Sequence, residues 1–270
     1  MTAHDPVPGL AGNPAITAVG GATSGRKRAL LRDNADLFVY PVIVVVGLAI
    51  AFVSVFSQPL DFIETQALDP ATVVSKIGTH LALTVASTIA VLVIAVPVGI
   101  LVSRRRARRA QGTVLAIGGF AQALPPFGLI VLLAFLIDFG FWTAVLALTL
   151  AALLPVLRNT VVGLQQVDRS LIEAARGMGM SSRQTLFRVE IPLAVPVIIA
   201  GMRVALVLNI GTATLATYIG AGGLGDIIVQ SLTSNRFPVL VIGGTLVAAL
   251  ALIVDWLAGI VERVVVARSG

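Results

Sequence analysis

Six apolar stretches, each near the length that crosses a bilayer, constrain this chain more than any other feature. They lie at roughly Phe38–Phe56, Leu81–Ser103, Thr113–Ile137, Phe141–Val156, Val195–Ile219 and Val239–Val261. A helix needs about 20 mainly apolar residues to span the hydrocarbon core. The expected fold class is therefore all-α, a polytopic membrane protein of about six transmembrane helices. The fourth stretch is short. The third is long and holds Pro125–Pro126 in its middle, where lost backbone donors and ring clashes predict a break or kink.

Composition agrees. Of the 270 residues, 57% are hydrophobic and 12% charged, and the mean hydropathy is +0.99. A soluble domain carries about 25% charged residues, so the composition argues against a soluble enzyme and excludes intrinsic disorder of the whole chain. The absence of Cys removes disulfides, thiolate metal sites and a Cys nucleophile together. Two histidines, His4 and His80, are too few for a His-rich metal centre. No cluster of carboxylates, His or activated nucleophile falls within the spans, so the chain is not expected to be an enzyme, to hold a metal or to bind a cofactor of its own. The nearest approach to a P-loop, Gly20 to Gly25 followed by Arg26-Lys27, has the wrong final residue and no preceding strand.

Residues 1–36 are rich in Gly, Ala, Pro and Thr without a sustained period, and are expected to be a disordered tail ahead of a transmembrane domain over 37–265. The basic cluster Arg26–Lys27–Arg28 precedes a hydrophobic stretch too long for a signal peptide, so the first span is expected to stay uncleaved. Orientation is set by Lys and Arg in the loops. With the N-terminus inside, sixteen of the nineteen basic residues fall on the inner side and two, Lys76 and Arg236, outside. Both termini are thus expected in the cytoplasm. The run of arginines at 104–109 then reads as an inner-face stop signal, not a nucleic-acid patch.

The most informative segment is the polar loop at about 158–194, placed on the inner side by this topology. Ser170 with Glu173 and Ser181 with Gln184 each fit a capping box. Gly177 and Gly179 suit a helix stop and tight turn, and Pro192 is expected to block continuation. The sequence predicts two short surface helices joined by a glycine turn. Met178, Met180, Leu186 and Phe187 are apolar residues flanked by arginines. Such a helix suits either a groove on a partner protein or a lipid surface.

Glu173-Ala174-Ala175, three residues, Gly179, nine residues and then Val189-Glu190-Ile191-Pro192 resembles the EAA loop of the membrane subunits of binding-protein-dependent ABC importers. The family pattern is E-A-A, three residues, G, nine residues, I-x-L-P. The departures are Val189 for Ile and Ile191 for Leu, both conservative. The resemblance implies that this loop forms coupling helices docking into a cytoplasmic ATPase subunit, which binds the ATP. Glu173 would cap and orient, Ala174 and Ala175 complete the motif, Gly179 would turn the chain, and Met178, Met180, Leu186 and Phe187 would make contact ahead of Pro192. It further implies a second permease chain, identical or similar, and an extracytoplasmic solute-binding protein. The chain itself would sit in the cytoplasmic membrane among lipid, with no nucleic-acid partner.

Over about 75–260 the chain is similar to the osmoprotectant branch of these permeases. The segments carrying this are His80–Val85, Pro97–Arg104 and, above all, Gly211–Asp226. That branch imports glycine betaine, carnitine, choline and similar compatible solutes. Methionine permeases share the glycine-rich stretch, so a methionine or other amino-acid permease is the alternative, and a non-transport membrane scaffold or sensor a second. Gly220, Gly222 and Gly225 also match G-x-G-x-x-G, but they come after a membrane helix on the outer side, where a dinucleotide site has neither strand nor access.

Quaternary ammonium ligands are held by aromatic cages. Tyr40, Trp142, Tyr218 and Trp256 are scattered along the chain, so the cage is expected on the binding protein and a low-affinity path here. Candidate path residues are Thr84, Ser87, Thr88, Gln122, Asn209, Thr212 and Thr214, each with ordinary helix–helix hydrogen bonding as its competing role. Charges within a bilayer are costly and normally paired. Arg203 and Asp255 lie at matching depth in the fifth and sixth spans, which predicts an ion pair between them.

Overall fold

The computed structural model describes residues 39–104 and 107–269. The tail expected at 1–36 lies outside the described residues, as do Arg105 and Arg106. The chain divides into two compact units, Met1–Ile43 and Val44–Gly270. The described part of the first is the opening turn of a helix, and the second holds the rest of the described chain.

Among the described residues the secondary structure is helical throughout. The elements are α1 (Val39–Phe56), α2 (Phe62–Ala67), α3 (Pro70–Ser103), α4 (Arg108–Ala123), α5 (Pro126–Leu136), α6 (Phe141–Gln165), α7 (Arg169–Gly177) and α8 (Ser182–Thr185). A π-helical turn (Leu186–Glu190) leads into α9 (Ile191–Ala213), then a 3₁₀ turn (Thr214–Ile219), α10 (Gly225–Thr233) and α11 (Phe237–Ser269). Among the described residues, five helical runs are long and apolar enough to span a bilayer, and α4 with α5 makes a sixth if the bent pair counts as one.

Several expected boundaries move for identifiable reasons. The second span begins at Pro70, not Leu81, because Asp69 caps it. The Thr72 N–H donates to Asp69 Oδ2 at 3.0 Å, and Pro70 occupies the first turn, where its missing donor is harmless. The polar turns with Ser75, Lys76 and Thr79 carry no hydropathy signal yet are helical. The fourth span, short in the sequence, continues past Val156 to Gln165 through Pro155. Pro125–Pro126 splits the third span into two helices at 95°, since Pro126 starts a helix well but cannot extend one.

The loop after α6 also departs from expectation. Ser170 and Glu173 do not form a capping box. The cap of α7 is Asp168, whose side chain accepts from the Ser170 N–H at 2.9 Å, and Glu173 is exposed in mid-helix. Pro192 does not stop the second helix. The chain runs from Ser182 through the π turn into α9, and the Ile191 N–H reaches Leu186 O, a five-residue step. The wider π ring accommodates a proline with no N–H of its own.

The core is built on α6, which packs most extensively against α3 and α9. Close approach depends on small residues. A Cβ on Gly99 would lie 2.7 Å from Thr160 Cγ2, and one on Gly201 2.7 Å from Asn159 Cβ. Such contacts substitute for a hydrophobic driving force that helices lack in lipid. Toward its other side α9 packs on α11, and α10 on α11. One buried cluster joins Leu129, Ile130 and Ala134 of α5 to Leu148 of α6 and to Ala216 and Ile219 of the 3₁₀ turn.

Candidate functional site

The 158–194 loop is organised around one left-handed residue. Gly179 has φ +82°. Its N–H donates to Arg176 O at 2.9 Å, and the Met180 N–H donates to Ala175 O at 3.1 Å. This is the bonding of a Schellman stop. A Cβ on Gly179 would meet nothing within 4 Å, so the requirement there is for backbone conformation alone. Ser181 then caps α8 with a full box: the Gln184 N–H donates to Ser181 Oγ at 3.3 Å, and the Ser181 N–H to Gln184 Oε1 at 2.8 Å. The backbone N–H of Ser170 first, and its hydroxyl second, hold the Asp168 carboxyl below its ordinary range.

This turn displays apolar side chains. Met178 is 72% exposed and Phe187 57%, with the Arg183 guanidinium 5.9 Å from the Phe187 ring centroid. Met180 and Leu186 are half-buried, Ala174 and Pro192 exposed, and Ala175 buried beneath them. The loop is tied to the membrane body by Glu190, 6% exposed, which accepts from Arg104 Nη1 at 2.8 Å at the end of α3. Sequence reasoning passed over Glu190 because it occupies the variable position of the motif. Between α7, α8 and the ends of α3 and α4 opens a cleft of about 750 Å³, lined by Glu173, Glu190 and five arginines, Arg104, Arg108, Arg169, Arg176 and Arg183.

The seven path candidates separate into two groups. Thr84, Ser87, Thr88 and Asn209 are buried inside the subunit's own bundle. Thr84 Oγ1 donates to His80 O at 2.9 Å, Ser87 Oγ to Thr84 O at 3.1 Å, and Asn209 Nδ2 to Thr88 Oγ1 at 3.1 Å. Thr84 and Ser87 thus bond within α3, and the Asn209–Thr88 bond joins α9 to α3. Gln122 is exposed, and Thr212 and Thr214 partly so. Thr212 and Thr214 still bond to carbonyls of their own helix, at 2.7 Å each.

The glycine-rich stretch folds onto α3. Gly220, Gly222 and Gly223 have φ of +71°, +80° and +98°. A Cβ on Gly223 would lie 3.2 Å from His80 Nδ1, and one on Gly225 2.0 Å from Thr214 O. His80 is fully buried. Its Nε2–H donates to Ile210 O at 3.0 Å, and Nδ1 has no partner. Asp226, just past the turn, accepts from Lys76 Nζ of α3 and from Thr217 Oγ1. Between α9 and α11, partly buried, Arg203 donates through Nε to Asp255 Oδ1 at 2.5 Å and through Nη2 to Asp255 Oδ2 at 2.8 Å. A second carboxylate, Glu262 Oε2, accepts from Nη1 at 3.3 Å. It lies two turns beyond Asp255 on the same helix face, a position that depth-matching alone did not single out. Among the described residues no three His, Cys, Asp or Glu are placed to hold a metal ion.

Residues 95–266 match the family described as the binding-protein-dependent transport system inner membrane component. The chain is 36% identical over 207 residues to the carnitine transport permease protein OpuCD of Listeria monocytogenes, covering 76% of this chain and 91% of that one. It is 43% identical over 178 residues to the osmoprotectant import permease protein OsmY of Salmonella typhimurium, covering 66% and 75%. It is 34% identical over 214 residues to the glycine betaine/carnitine/choline transport system permease protein OpuCB of Bacillus subtilis, covering 79% and 96%. Among solved structures, the MetNI methionine ABC transporter in an inward-facing conformation matches with a TM-score of 0.63 and 26% identity, over 72% of this chain and 95% of that one.

Proposed function

The chain belongs to the inner-membrane components of binding-protein-dependent transport systems, multi-pass permeases that perform no catalysis themselves, and we propose that it carries a quaternary ammonium compatible solute. It is the transmembrane subunit of an ABC importer, a family that works with ATPase and binding-protein partners. In the proposed assembly two permease chains, identical or similar, enclose the path, and both termini of this one lie in the cytoplasm with a basic inner face. The 158–194 loop docks on the ATPase.

The observation that carries the docking reading is the contrast within that loop. Its backbone is fixed by the Schellman stop at Gly179, the Ser181 box and the Glu190–Arg104 bridge. Its largest apolar side chains, Met178 and Phe187, are nonetheless left in the open. A rigid loop with unsatisfied apolar anchors passes motion to whatever covers those anchors. Glu173, exposed and bordering the arginine-lined cleft, offers the partner a charged contact instead of capping its own helix.

The solute reading is supported by the relatives, whose names specify carnitine, choline and glycine betaine. A methionine reading is favoured by one observation, the likeness to the methionine transporter. The experiment is reconstitution with the partner ATPase and binding protein, with glycine betaine, choline, carnitine and methionine then tried as stimulants of ATP hydrolysis. Stimulation by the first three is expected. A response to methionine alone moves the assignment to the second reading.

A further inference from the structure

Two aromatic side chains far apart in sequence meet at the surface. The rings of Phe127 and Tyr218 lie edge to face, with centroids 5.1 Å apart and planes at 80°. Phe127 is 47% exposed and Tyr218 49%. Both are held from behind by one core cluster, through Leu129 and Ile130 on α5 and through Ala216 and Ile219 on either side of Tyr218.

Each ring also sits where a membrane-crossing run is interrupted. Phe127 comes two residues after Pro125, at the 95° bend between α4 and α5. Tyr218 lies in the 3₁₀ turn that ends at left-handed Gly220. Non-helical backbone at membrane depth is tolerated only where protein or a water-filled cavity covers it. In the proposed assembly the second permease chain and the path between the two chains cover this surface. On α9, Val204, Val207, Leu208 and Gly211 are exposed in the turns leading up to Tyr218, while Ala205, Asn209, Ile210 and Ala213 are buried. An uncovered stripe that ends in an aromatic pair and broken backbone has the character of a passage wall.

We propose that Phe127 and Tyr218 form half of an aromatic cage that a quaternary ammonium group touches while crossing the membrane, the other half coming from the second permease chain. The inference rests on the solute being a quaternary ammonium compound. Ring faces attract a cation within about 6 Å of the centroid, more strongly where water is excluded. A full cage suits capture. A half cage binds weakly enough to release, which conduction requires. Scattered positions in the sequence hid the pair, because Phe127 and Tyr218 are brought together only by packing of α5 on the 3₁₀ turn.

The test uses the complete complex, with its ATPase and binding protein, in proteoliposomes. Position 218 receives phenylalanine and then mono-, di- and trifluorinated phenylalanines, which keep ring shape while draining negative charge from its face. Tyr218→Phe is the reference against which uptake of choline or glycine betaine by the fluorinated variants is read. The fluorinated series is expected to fall stepwise, to about a tenth at three fluorines, the size of an exposed-to-buried cation–π contact. Phe127→Leu lowers uptake in the same direction. A flat fluorine series with normal wild-type uptake overturns the cage and leaves the solute reading standing. Wild-type uptake of methionine but of no quaternary ammonium compound overturns both.

Discussion

Gly179 and the Gly220–Gly225 stretch both turn the chain through left-handed backbone, yet they are built for different tasks. Around Gly179 the added volume of a side chain would meet nothing within 4 Å. Around Gly222, Gly223 and Gly225 it would meet Thr79, His80 and the Thr214 carbonyl at 3.3, 3.2 and 2.0 Å. The first turn needs conformation only and leaves its surroundings open to a partner. The second needs conformation and contact, and it presses on α3 at a buried His80 and through the Asp226–Lys76 bridge. The Gly179 turn is thus open on its outside, whereas the second stretch is packed on its own subunit from Gly222 to Gly225 and open only at Gly220.

The largest test of this contrast is Gly225→Ala. The new Cβ would lie on a backbone oxygen, which cannot swing aside as a flexible side chain does. Overpacking costs about 1–3 kcal/mol, and this site belongs at the upper end. Thermal unfolding of the purified chain is expected to show a large drop and a poor folded yield. A melting profile like that of wild type breaks the comparison at its packed end.

Gly179→Asp sharpens the open end. The left-handed conformation costs an ordinary residue roughly 1–2 kcal/mol, and Asp is among the residues that visit it. The fold is therefore expected to lose about 1 kcal/mol while ATP-driven uptake is lost, because the carboxylate stands beside Met178 in the proposed ATPase contact. Normal uptake by this variant counts against docking. Loss of folded yield as severe as that of Gly225→Ala removes the distinction between the two turns.

What could be foreseen from the sequence divides along the same line. The Schellman stop and the Ser181–Gln184 box were legible because each is written within six residues, and the bend at Pro125–Pro126 because proline acts locally. The Arg203–Asp255 pair was legible from depth, since a charge in a span demands a partner. Ser170 and Glu173 misled because Asp168, two residues earlier, takes the cap and leaves Glu173 pointing outward. Pro192 misled because a π turn absorbs it. The threonines of α3 were legible as polar but not as buried, because polarity says nothing about which way a residue faces. Asp226–Lys76, Glu190–Arg104 and Phe127–Tyr218 were invisible, each joining positions more than eighty residues apart.

A smaller effect is expected at Asp226→Asn. The bridge to Lys76 is about a third exposed on each side, and pairs of that kind contribute up to about 1 kcal/mol. The amide still accepts from Thr217. Stability is expected to fall by about 1 kcal/mol or less in chemical denaturation. The Lys76→Met, Asp226→Asn double variant is expected to cost little more than either single one, since both remove the same interaction. Full additivity denies that the bridge links α3 to the turn.

The smallest effect belongs to the open loop and depends on pH. Asp168 stands in solvent at the start of α7 and accepts from the Ser170 N–H, which holds its carboxyl below its ordinary range in the folded state. A carboxyl depressed in the folded state stabilises above its unfolded pKa, and that contribution disappears as pH falls through the folded value. The first turn of α7 should therefore be insensitive between pH 7 and pH 5 and loosen below about pH 4, near the ordinary carboxylate pKa. Hydrogen exchange at the Ser170 amide, corrected for the intrinsic pH dependence of exchange, reports it directly. Asp168→Asn caps without titrating, so its protection is expected to stay level over the same range. If wild type and Asp168→Asn lose protection in parallel, the acid effect arises in the packed parts of the molecule, and the open loop is not the independently held element that Gly179 makes it.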